Sequence, residues 1–205
     1  MPGTDDARER WNERYARAAA TAFPDSPAEW LVEHRALLDR PAARLRALDV
    51  ACGDGRNARF LAELGYAVDA LDISDVVVDR LSAAAVSDGL TVTPRVADLE
   101  RTADLPEGRY DVIVNFNYLQ RSLFAGLARA LRPGGLLLFE TFGRSHVDEL
   151  GNELRPEFVL GDNELIHAFP DLRVRHYREG VAQRSGRPRG VASLVAERRS
   201  ERPAV

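Results

Sequence analysis

From residue 46 onward, short apolar segments alternate with longer segments of helical periodicity, and this alternation constrains the fold more than any other feature of the sequence. The apolar segments are too short for buried helices, and glycine or proline follows most of the helical ones. Predicted strands cover 46–51, 67–71, 91–96, 110–114 and 136–139. Such an order is typical of βα units around a parallel sheet that is covered on both faces. We therefore predict an α/β, doubly wound, Rossmann-like fold.

Two further features refine the predicted sheet. Pro94 lies in the third strand and cannot donate a hydrogen bond to a neighbouring strand, so this strand belongs at an edge. Near the end of the chain, 172–181 and 191–196 read as strands that flank a turn at 184–190. The sequence therefore predicts five strands of the βα type, followed by a C-terminal antiparallel hairpin.

Composition excludes several kinds of chemistry. All 28 basic residues are arginine, so a lysine Schiff base, a pyridoxal phosphate anchor and a phosphate-loop lysine are ruled out. Cys52 is the single cysteine and cannot form an internal disulfide. The four histidines lack metal-ligand spacing, and we expect no metal site. The formal net charge of −4 argues against nucleic acid as a partner.

A small-residue loop follows the first predicted strand. Gly53 and Gly55 lie where a strand turns into a helix, a place where backbone N–H groups bind nucleotide-like ligands. Asp72 ends the second strand, nineteen residues after Gly53, and could accept both hydroxyl groups of a ribose. The alternative role for Asp72 is purely structural, as an acidic residue that stabilises the start of the next helix.

The loop also matches the dinucleotide fingerprint, because residues 53–58 read Gly-Asp-Gly-Arg-Asn-Ala. An NAD-binding oxidoreductase is therefore an open alternative. Asp49 opposes it, because a carboxylate just before the loop repels a pyrophosphate and attracts a cationic amino group. The 45 residues before the first strand and the terminal hairpin are also foreign to a dinucleotide fold.

Five segments together resemble a class I S-adenosylmethionine-dependent methyltransferase. They are the string at 49–55, Asp72, the segment 96–99, the Arg-Pro-Gly-Gly turn at 132–135, and the closing hairpin. Within that superfamily, 11–15, 55–57 and 140–142 are similar to small tellurite-resistance and thiopurine-type methyltransferases. The resemblance implies S-adenosyl-L-methionine as cofactor. It also implies a seven-stranded, mostly parallel sheet with strand three at the edge, in agreement with Pro94.

The resemblance also assigns residues to the cofactor. It implies that Asp49 and the loop hold the methionine part, that Asp72 binds the ribose, and that Asp98 accepts from the adenine amine. Ala51 departs from the family, which more often has glycine there. The implied cofactor-binding residues are Asp49, Ala51, Gly53, Gly55, Asp72, Ile73, Asp98, Leu99 and Asn115.

The methyl acceptor is less clearly marked. Residues 115–118, Asn-Phe-Asn-Tyr, lack the paired prolines with which amino-methylating relatives hold a planar nitrogen. This favours a small acceptor, such as a thiol or a chalcogen oxyanion, which needs no dedicated base, and we identify no catalytic residue. Candidate acceptor residues are Trp11, Tyr15, Arg56, Tyr118, Arg121, Phe142, Arg184 and Arg189. The alternative for Trp11 and Tyr15 is a helix that docks its aromatic face onto the core, and the alternative for the arginines is a solvated charge.

The length of 205 residues predicts one methyltransferase domain. We divide residues 1–205 into a helical N-terminal cap at 1–45, a cofactor-binding core at 46–142, and a lid segment, helix and hairpin at 143–205. No apolar segment suggests a membrane helix or a signal peptide, so we expect a cytoplasmic protein.

Two other functions stay open at this stage. One is a nucleic-acid or protein methyltransferase of the same fold, suggested by the arginines between 173 and 202. The other is a non-catalytic nucleotide-binding module, suggested by the absence of an identifiable base.

Overall fold

A computed structural model of the protein describes residues 4–17, 26–40, 44–101 and 104–200. Its strands are β1 (Arg46–Val50), β2 (Ala67–Asp72), β3 (Val92–Val96), β4 (Tyr110–Phe116), β5 (Leu131–Phe142), β6 (Leu172–Arg184) and β7 (Arg187–Arg198). Its helices are α1 (Thr4–Arg17), α2 (Glu29–Glu33), α3 (Arg35–Leu38), α4 (Arg56–Glu63), α5 (Asp75–Ser87), α6 (Phe124–Ala130), α7 (Ser145–Asp148) and α8 (Glu164–His167).

The predicted fold class is confirmed. The strands form one seven-stranded sheet in the order β3-β2-β1-β4-β5-β7-β6. β1, β2 and β3 pair in parallel, as do β4 and β5, whereas β7 is antiparallel to both β5 and β6. β3, which contains Pro94, is an edge strand as predicted.

Two predicted boundaries are wrong. The hairpin turn comprises only Ser185 and Gly186, both with positive φ, as tight hairpin turns require. Because the turn is this short, β6 extends to Arg184 and β7 begins at Arg187. Arg189 therefore lies on a strand rather than in a turn. β5 begins at Leu131, five residues before the predicted start, because Leu131 pairs with Tyr110 before the register shifts at 132–135.

The contacts divide the chain into two compact units, Met1–Ala103 and Asp104–Val205. In the first unit the apolar face of α4 and α5 packs on β1 and β2. The core includes Leu48, Val68, Leu61, Val77 and Leu81, all fully buried. Burial of such side chains stabilises the unit by about 2 kcal/mol each.

The N-terminal segment of the first unit is attached by buried polar contacts. The Tyr66 hydroxyl donates to the Leu38 carbonyl over 2.7 Å. The Asn57 side-chain oxygen accepts from the Ala28 N–H over 2.9 Å, which satisfies a donor at the start of α2. The described parts of 1–45 are largely helical; their role as a cap stays a prediction.

In the second unit, α6 packs on β5 and α8 packs on β7. Phe124, Phe139 and Phe169 form an aromatic cluster there, with ring centroids 5.3–6.1 Å apart. Aromatic rings at such distances contribute beyond the area that they bury. None of the helices in the described ranges combines the length and apolar composition that a membrane crossing requires.

Candidate functional site

The glycine loop of the first unit turns sharply between β1 and α4. Ala51, Gly53 and Gly55 all have positive φ, at 53°, 54° and 77°. A Cβ atom on Gly55 would lie 2.3 Å from Leu81 Cδ1, so no other residue fits without repacking. Ala51 adopts the left-handed region that the family's glycine would favour, at a cost of about 1 kcal/mol.

Asp72 connects this loop with the start of α5. One carboxylate oxygen accepts from the Gly53 N–H (2.9 Å) and the other from the Ser74 N–H (3.0 Å). Ser74 in turn caps α5 by accepting from the Val77 N–H. Burial raises the pKa of Asp72, and the backbone donors oppose this shift. Asp72 thus has the structural role considered above, and its remaining lone pairs are open to ribose hydroxyl groups.

Asp49 is the least satisfied polar group of the loop region. Its side chain is buried on β1, and its Oδ2 atom has no hydrogen-bond partner among the described residues. Burial raises the pKa of Asp49 to about 7, opposed by the Ala58 N–H and by the Arg56 guanidinium. A buried, unsatisfied carboxylate oxygen is costly unless a ligand donates to it. A cationic amino group is such a ligand.

The segment that follows β3 lies beside the carboxyl end of β2. The Ala97 N–H donates to the Asp72 carbonyl over 2.7 Å, and Asp98 Oδ1 accepts from the Glu100 N–H over 3.0 Å. Leu99 is buried and Ile73 half-buried. The carboxyl ends of β2 and β3 therefore bring the acidic and apolar residues expected around a nucleoside to one edge of this unit.

Tyr15 lies against the glycine loop. Its hydroxyl oxygen is 3.1 Å from the position that a Cβ atom on Gly53 would take, and burial and the Asp72 charge raise the pKa of this phenol. Trp11 stacks on Tyr15 with ring centroids 5.7 Å apart. Two contacts hold α1 against α5. Ser74 Oγ and Asn12 Oδ1 are 2.6 Å apart, and the Arg80 guanidinium donates to the Tyr15 carbonyl. Tyr15 thus both docks on the unit and faces the glycine loop, and Trp11 packs on Tyr15.

Arg56 is engaged elsewhere in the same unit, where its guanidinium donates to the Ser26 carbonyl over 3.1 Å. This contact fixes the segment before α2. It gives the Arg56 side chain a structural role that the sequence did not indicate.

In the second unit, Asn115 and Tyr118 shape the loop after β4. The Asn115 side chain is buried, and its amide donates to the Tyr118 carbonyl over 2.7 Å. Asn117 between them has a φ of 58°. The Asn115 amide therefore closes the loop, and the half-buried Tyr118 ring is held at its end.

Two of the arginines proposed for the acceptor are neutralised within the second unit. Arg121 makes a bidentate ion pair with Glu164 and donates to the carbonyls of Glu157 and Val159. Arg184 is buried and donates to both oxygens of buried Glu140, each over 2.7 Å. Both guanidinium groups hold the fold together.

The Glu140 site contains a third member, because Ser193 Oγ donates to Glu140 Oε2 over 2.6 Å. Sequence reasoning missed Glu140 and Ser193. Their register on β5 and β7 places them directly opposite each other, which a sequence without known strand pairing cannot reveal.

Phe142 and Arg189 meet at the carboxyl end of β5. The Arg189 guanidinium lies 5.8 Å from the Phe142 ring centroid, and the His146 ring lies 4.5 Å from it on a helix that follows directly. His146 was also missed, since a lone histidine without a metal pattern carries no local signal.

Comparison with known proteins identifies the fold and a similarity to methyltransferases. Residues 47–135 match the family described as a methyltransferase domain. This match covers β1 to β4 and the start of β5, the segment that also resembles a class I S-adenosylmethionine-dependent methyltransferase. A ubiquinone biosynthesis O-methyltransferase of Nitrosococcus oceani is 30% identical over 137 residues, which cover 64% of this chain and 56% of the relative. The chain spans about half the length of the curated relatives it matches.

Solved structures agree in fold. TehB from Haemophilus influenzae superimposes with a TM-score of 0.69 at 20% identity, over 95% of this chain and 68% of TehB. An S-adenosylmethionine-dependent methyltransferase from Mesorhizobium loti gives a TM-score of 0.63 at 21% identity, over 81% of this chain and 97% of that protein. These similarities support the predicted family and its cofactor, S-adenosylmethionine.

The residues of the first unit fit this cofactor. The unsatisfied Asp49 oxygen suits its amino group, the tight loop gives close backbone access, and Asp72 suits its ribose. The roles of the individual side chains stay predictions.

Proposed function

We propose that this methyltransferase transfers a methyl group from S-adenosylmethionine to a small-molecule acceptor, such as a thiol, an oxyanion or a similar nucleophile. The unsatisfied, buried Asp49 carboxylate at the glycine loop carries the cofactor half of the proposal. Asp49, the loop at Ala51, Gly53 and Gly55, and Asp72 would hold the cofactor. Its sulfonium supplies an already activated methyl group, so the protein mainly needs to align and desolvate the acceptor.

Two observations favour a small acceptor over a macromolecule. One of the two N–H groups of the Asn115 amide donates to the Tyr118 carbonyl within its own loop, and 115–118 lacks the paired prolines with which amino-methylating relatives hold a planar nitrogen. Several arginines that suggested nucleic acid are already engaged, since Arg175 pairs with Glu197 and Arg198 donates to backbone carbonyls. The names of the curated relatives, which specify O-methyl transfer in ubiquinone biosynthesis, support testing phenols as well.

A pair of variants tests the cofactor half. Asp72→Ala removes the acceptor for two backbone donors and for the ribose, so S-adenosylhomocysteine should bind about 10- to 100-fold more weakly. Asp75→Ala, an exposed acidic residue in the first turn of α5, is the matched control and should leave binding unchanged. Isothermal titration calorimetry measures both, and an unchanged dissociation constant in Asp72→Ala removes this residue from the site.

A panel of acceptors tests the reaction. We expect transfer of a labelled methyl group to at least one of a catechol, an alkyl thiol, selenite and tellurite, and no transfer to RNA or DNA at about 50 mM salt, where phosphate contacts are strong. Absence of binding of S-adenosylmethionine and S-adenosylhomocysteine at millimolar concentration would contradict the whole proposal. Salt-sensitive binding and methylation of nucleic acid would replace it with the alternative. A cytoplasmic location stays a prediction.

A further inference from the structure

Within the first unit, α1 touches the glycine loop and α5 at three points. The Tyr15 hydroxyl lies against Gly53. Ser74 Oγ and Asn12 Oδ1 are 2.6 Å apart, at the start of α5. The Arg80 guanidinium donates to the Tyr15 carbonyl over 3.1 Å. We call Asn12, Tyr15 and Arg80 the α1 clamp. A helix of 14 residues is marginally stable by itself in water, so α1 depends on such tertiary contacts.

Asn12 holds the hydroxyl group of Ser74. The Ser74 side chain is fully buried, and its Oγ atom accepts from the Val77 N–H in the first turn of α5. The hydroxyl proton needs an acceptor of its own, and Asn12 Oδ1 supplies it. The Ser74 N–H donates to Asp72 Oδ1 over 3.0 Å. A single residue therefore connects Asn12 with the Asp72 carboxylate.

Arg80 attaches the other end of α1. Tyr15 lies in the last turn of this helix, where backbone carbonyls lack partners within the helix, and the Arg80 guanidinium satisfies one of them. The same guanidinium lies 3.9 Å from a carboxylate oxygen of Asp54, the residue between the two loop glycines. That ion pair is exposed and contributes little by itself. One side chain thus joins α1, α5 and the glycine loop.

The contacts of α1 reach both backbone donors of Asp72. The Gly53 and Ser74 N–H groups orient its two carboxylate oxygens. Asn12 binds the Ser74 hydroxyl, and Tyr15 lies against Gly53. Burial, and after it the Asp72 charge, raises the pKa of the Tyr15 phenol, which stays protonated beside the carboxylate. A displacement of α1 therefore disturbs both groups that orient Asp72.

We propose that Asn12 and Arg80 are positioning residues for the cofactor. By holding α1 in place, they keep the Asp72 carboxylate and the Gly53 backbone in the geometry that binds S-adenosylmethionine. This inference rests on the proposed function, because it concerns the same cofactor site. Neither side chain is assigned a contact with the cofactor. Since coupling is reciprocal, the clamp strengthens cofactor binding by the factor by which the cofactor stabilises the docked α1.

Calorimetric titration with S-adenosylhomocysteine tests the clamp. Asn12→Ala removes the acceptor of the Ser74 hydroxyl, and Arg80→Met removes the donor to the Tyr15 carbonyl. Arg80→Lys is the conservative variant, because its ammonium group keeps the charge and a donor. Arg10→Met, at an exposed position on α1, removes the same charge as Arg80→Met and is the matched control. The thermal midpoint of each variant confirms that it is folded.

We expect Asn12→Ala and Arg80→Met each to bind S-adenosylhomocysteine about three- to tenfold more weakly than the wild type, as loss of one hydrogen bond implies. Arg80→Lys should bind within about twofold of the wild type, since it can still donate to the carbonyl. Arg10→Met should bind as the wild type does.

Two readouts separate positioning from general destabilisation. In the Asp72→Ala background, Asn12→Ala should weaken binding by less than about twofold, because the carboxylate through which it acts is gone. In hydrogen exchange followed by mass spectrometry, S-adenosylhomocysteine should slow exchange of the α1 amides in the wild type and much less in Arg80→Met.

The inference is overturned if Asn12→Ala and Arg80→Met bind as the wild type does, or if Asn12→Ala costs as much without Asp72 as with it. Failure of the proposed function has different signatures. A wild type that does not bind S-adenosylhomocysteine overturns both. Clamp-dependent binding without methyl transfer to any acceptor supports the clamp and overturns the proposed function alone.

Discussion

The buried ion pair between Arg184 and Glu140 supports a quantitative prediction. Both side chains are 7% exposed, both guanidinium–carboxylate hydrogen bonds are 2.7 Å long, and Ser193 donates a third to the same carboxylate. Arg184→Met keeps most of the side-chain volume but leaves the Glu140 carboxylate buried, and the Ser193 hydroxyl is then its remaining side-chain donor in the described part of the chain. Breaking one partner of a buried pair costs about 3–5 kcal/mol.

The assay is urea unfolding followed by circular dichroism, supported by the thermal midpoint. For a chain of this length, the predicted loss corresponds to a fall in Tm of about 6–20 °C. The double variant Arg184→Met/Glu140→Leu should recover most of the loss, because replacing both charges by apolar groups of similar volume is often neutral. Arg187→Met, at an exposed position across the hairpin turn, is the control and should change stability by less than about 0.5 kcal/mol.

Two results would refute this reasoning. A loss below about 1 kcal/mol in Arg184→Met would mean that the pair does not bear on stability, contrary to the cost of an unpaired buried charge. A double variant as unstable as the single one would mean that packing of the Arg184 side chain, rather than its charge, is what matters.

Three further predictions concern Asp49, Gly55 and Ser145. Because burial raises the pKa of Asp49 to about 7, its native state binds more protons than the unfolded state between about pH 4 and 7, so the free energy of unfolding should fall by about 4 kcal/mol across that window. Asp49→Asn should remove this fall, and equal pH dependence of the two proteins in urea unfolding would contradict the shift. Gly55→Ala should lower stability by about 2–4 kcal/mol, because its Cβ meets Leu81 and its backbone is left-handed; if that clash dominates, Leu81→Ala should cost less in the Gly55→Ala protein than in the wild type, as urea unfolding of the four proteins measures. Ser145→Ala should be neutral or stabilising by about 1 kcal/mol, because its buried hydroxyl has no hydrogen-bond partner within the described ranges, whereas Ser193→Ala should lose about 1–3 kcal/mol; thermal unfolding that ranks them in reverse would refute both.

Local sequence signals predicted the fold well. Apolar periodicity located β1, β2 and β4 and the helices between them, because strand and helix periods are properties of neighbouring residues. Pro94 placed β3 at the edge for a reason that is also local, its missing N–H. The loop at Gly53 and Gly55, and Asp72 at the end of β2, could also be predicted, because their sequence signals are local too.

The candidate residues for the methyl acceptor were much harder to predict from the sequence. The sequence marked Arg121, Arg184 and Arg189 as equivalent candidates, and only the fold separates them. Glu140 and Glu164 lie more than forty residues from the arginines they neutralise, and no local pattern announces such a pairing. Tyr15 likewise meets Gly53 through the docking of α1 rather than through any spacing.

The sequence alone determined that this chain builds a Rossmann-like sheet with a nucleotide-type loop, because backbone periodicity, turn residues and strand-end acids act over a few residues. The tertiary structure decided which charged side chains form ion pairs within the fold and which remain available to a ligand. That decision depends on pairings across strands and helices, where burial makes an unpaired charge so costly that each buried cation must find a partner. Arg189, half-buried beside Phe142 and without a carboxylate in the described part of the chain, is the residue for which this difference matters most.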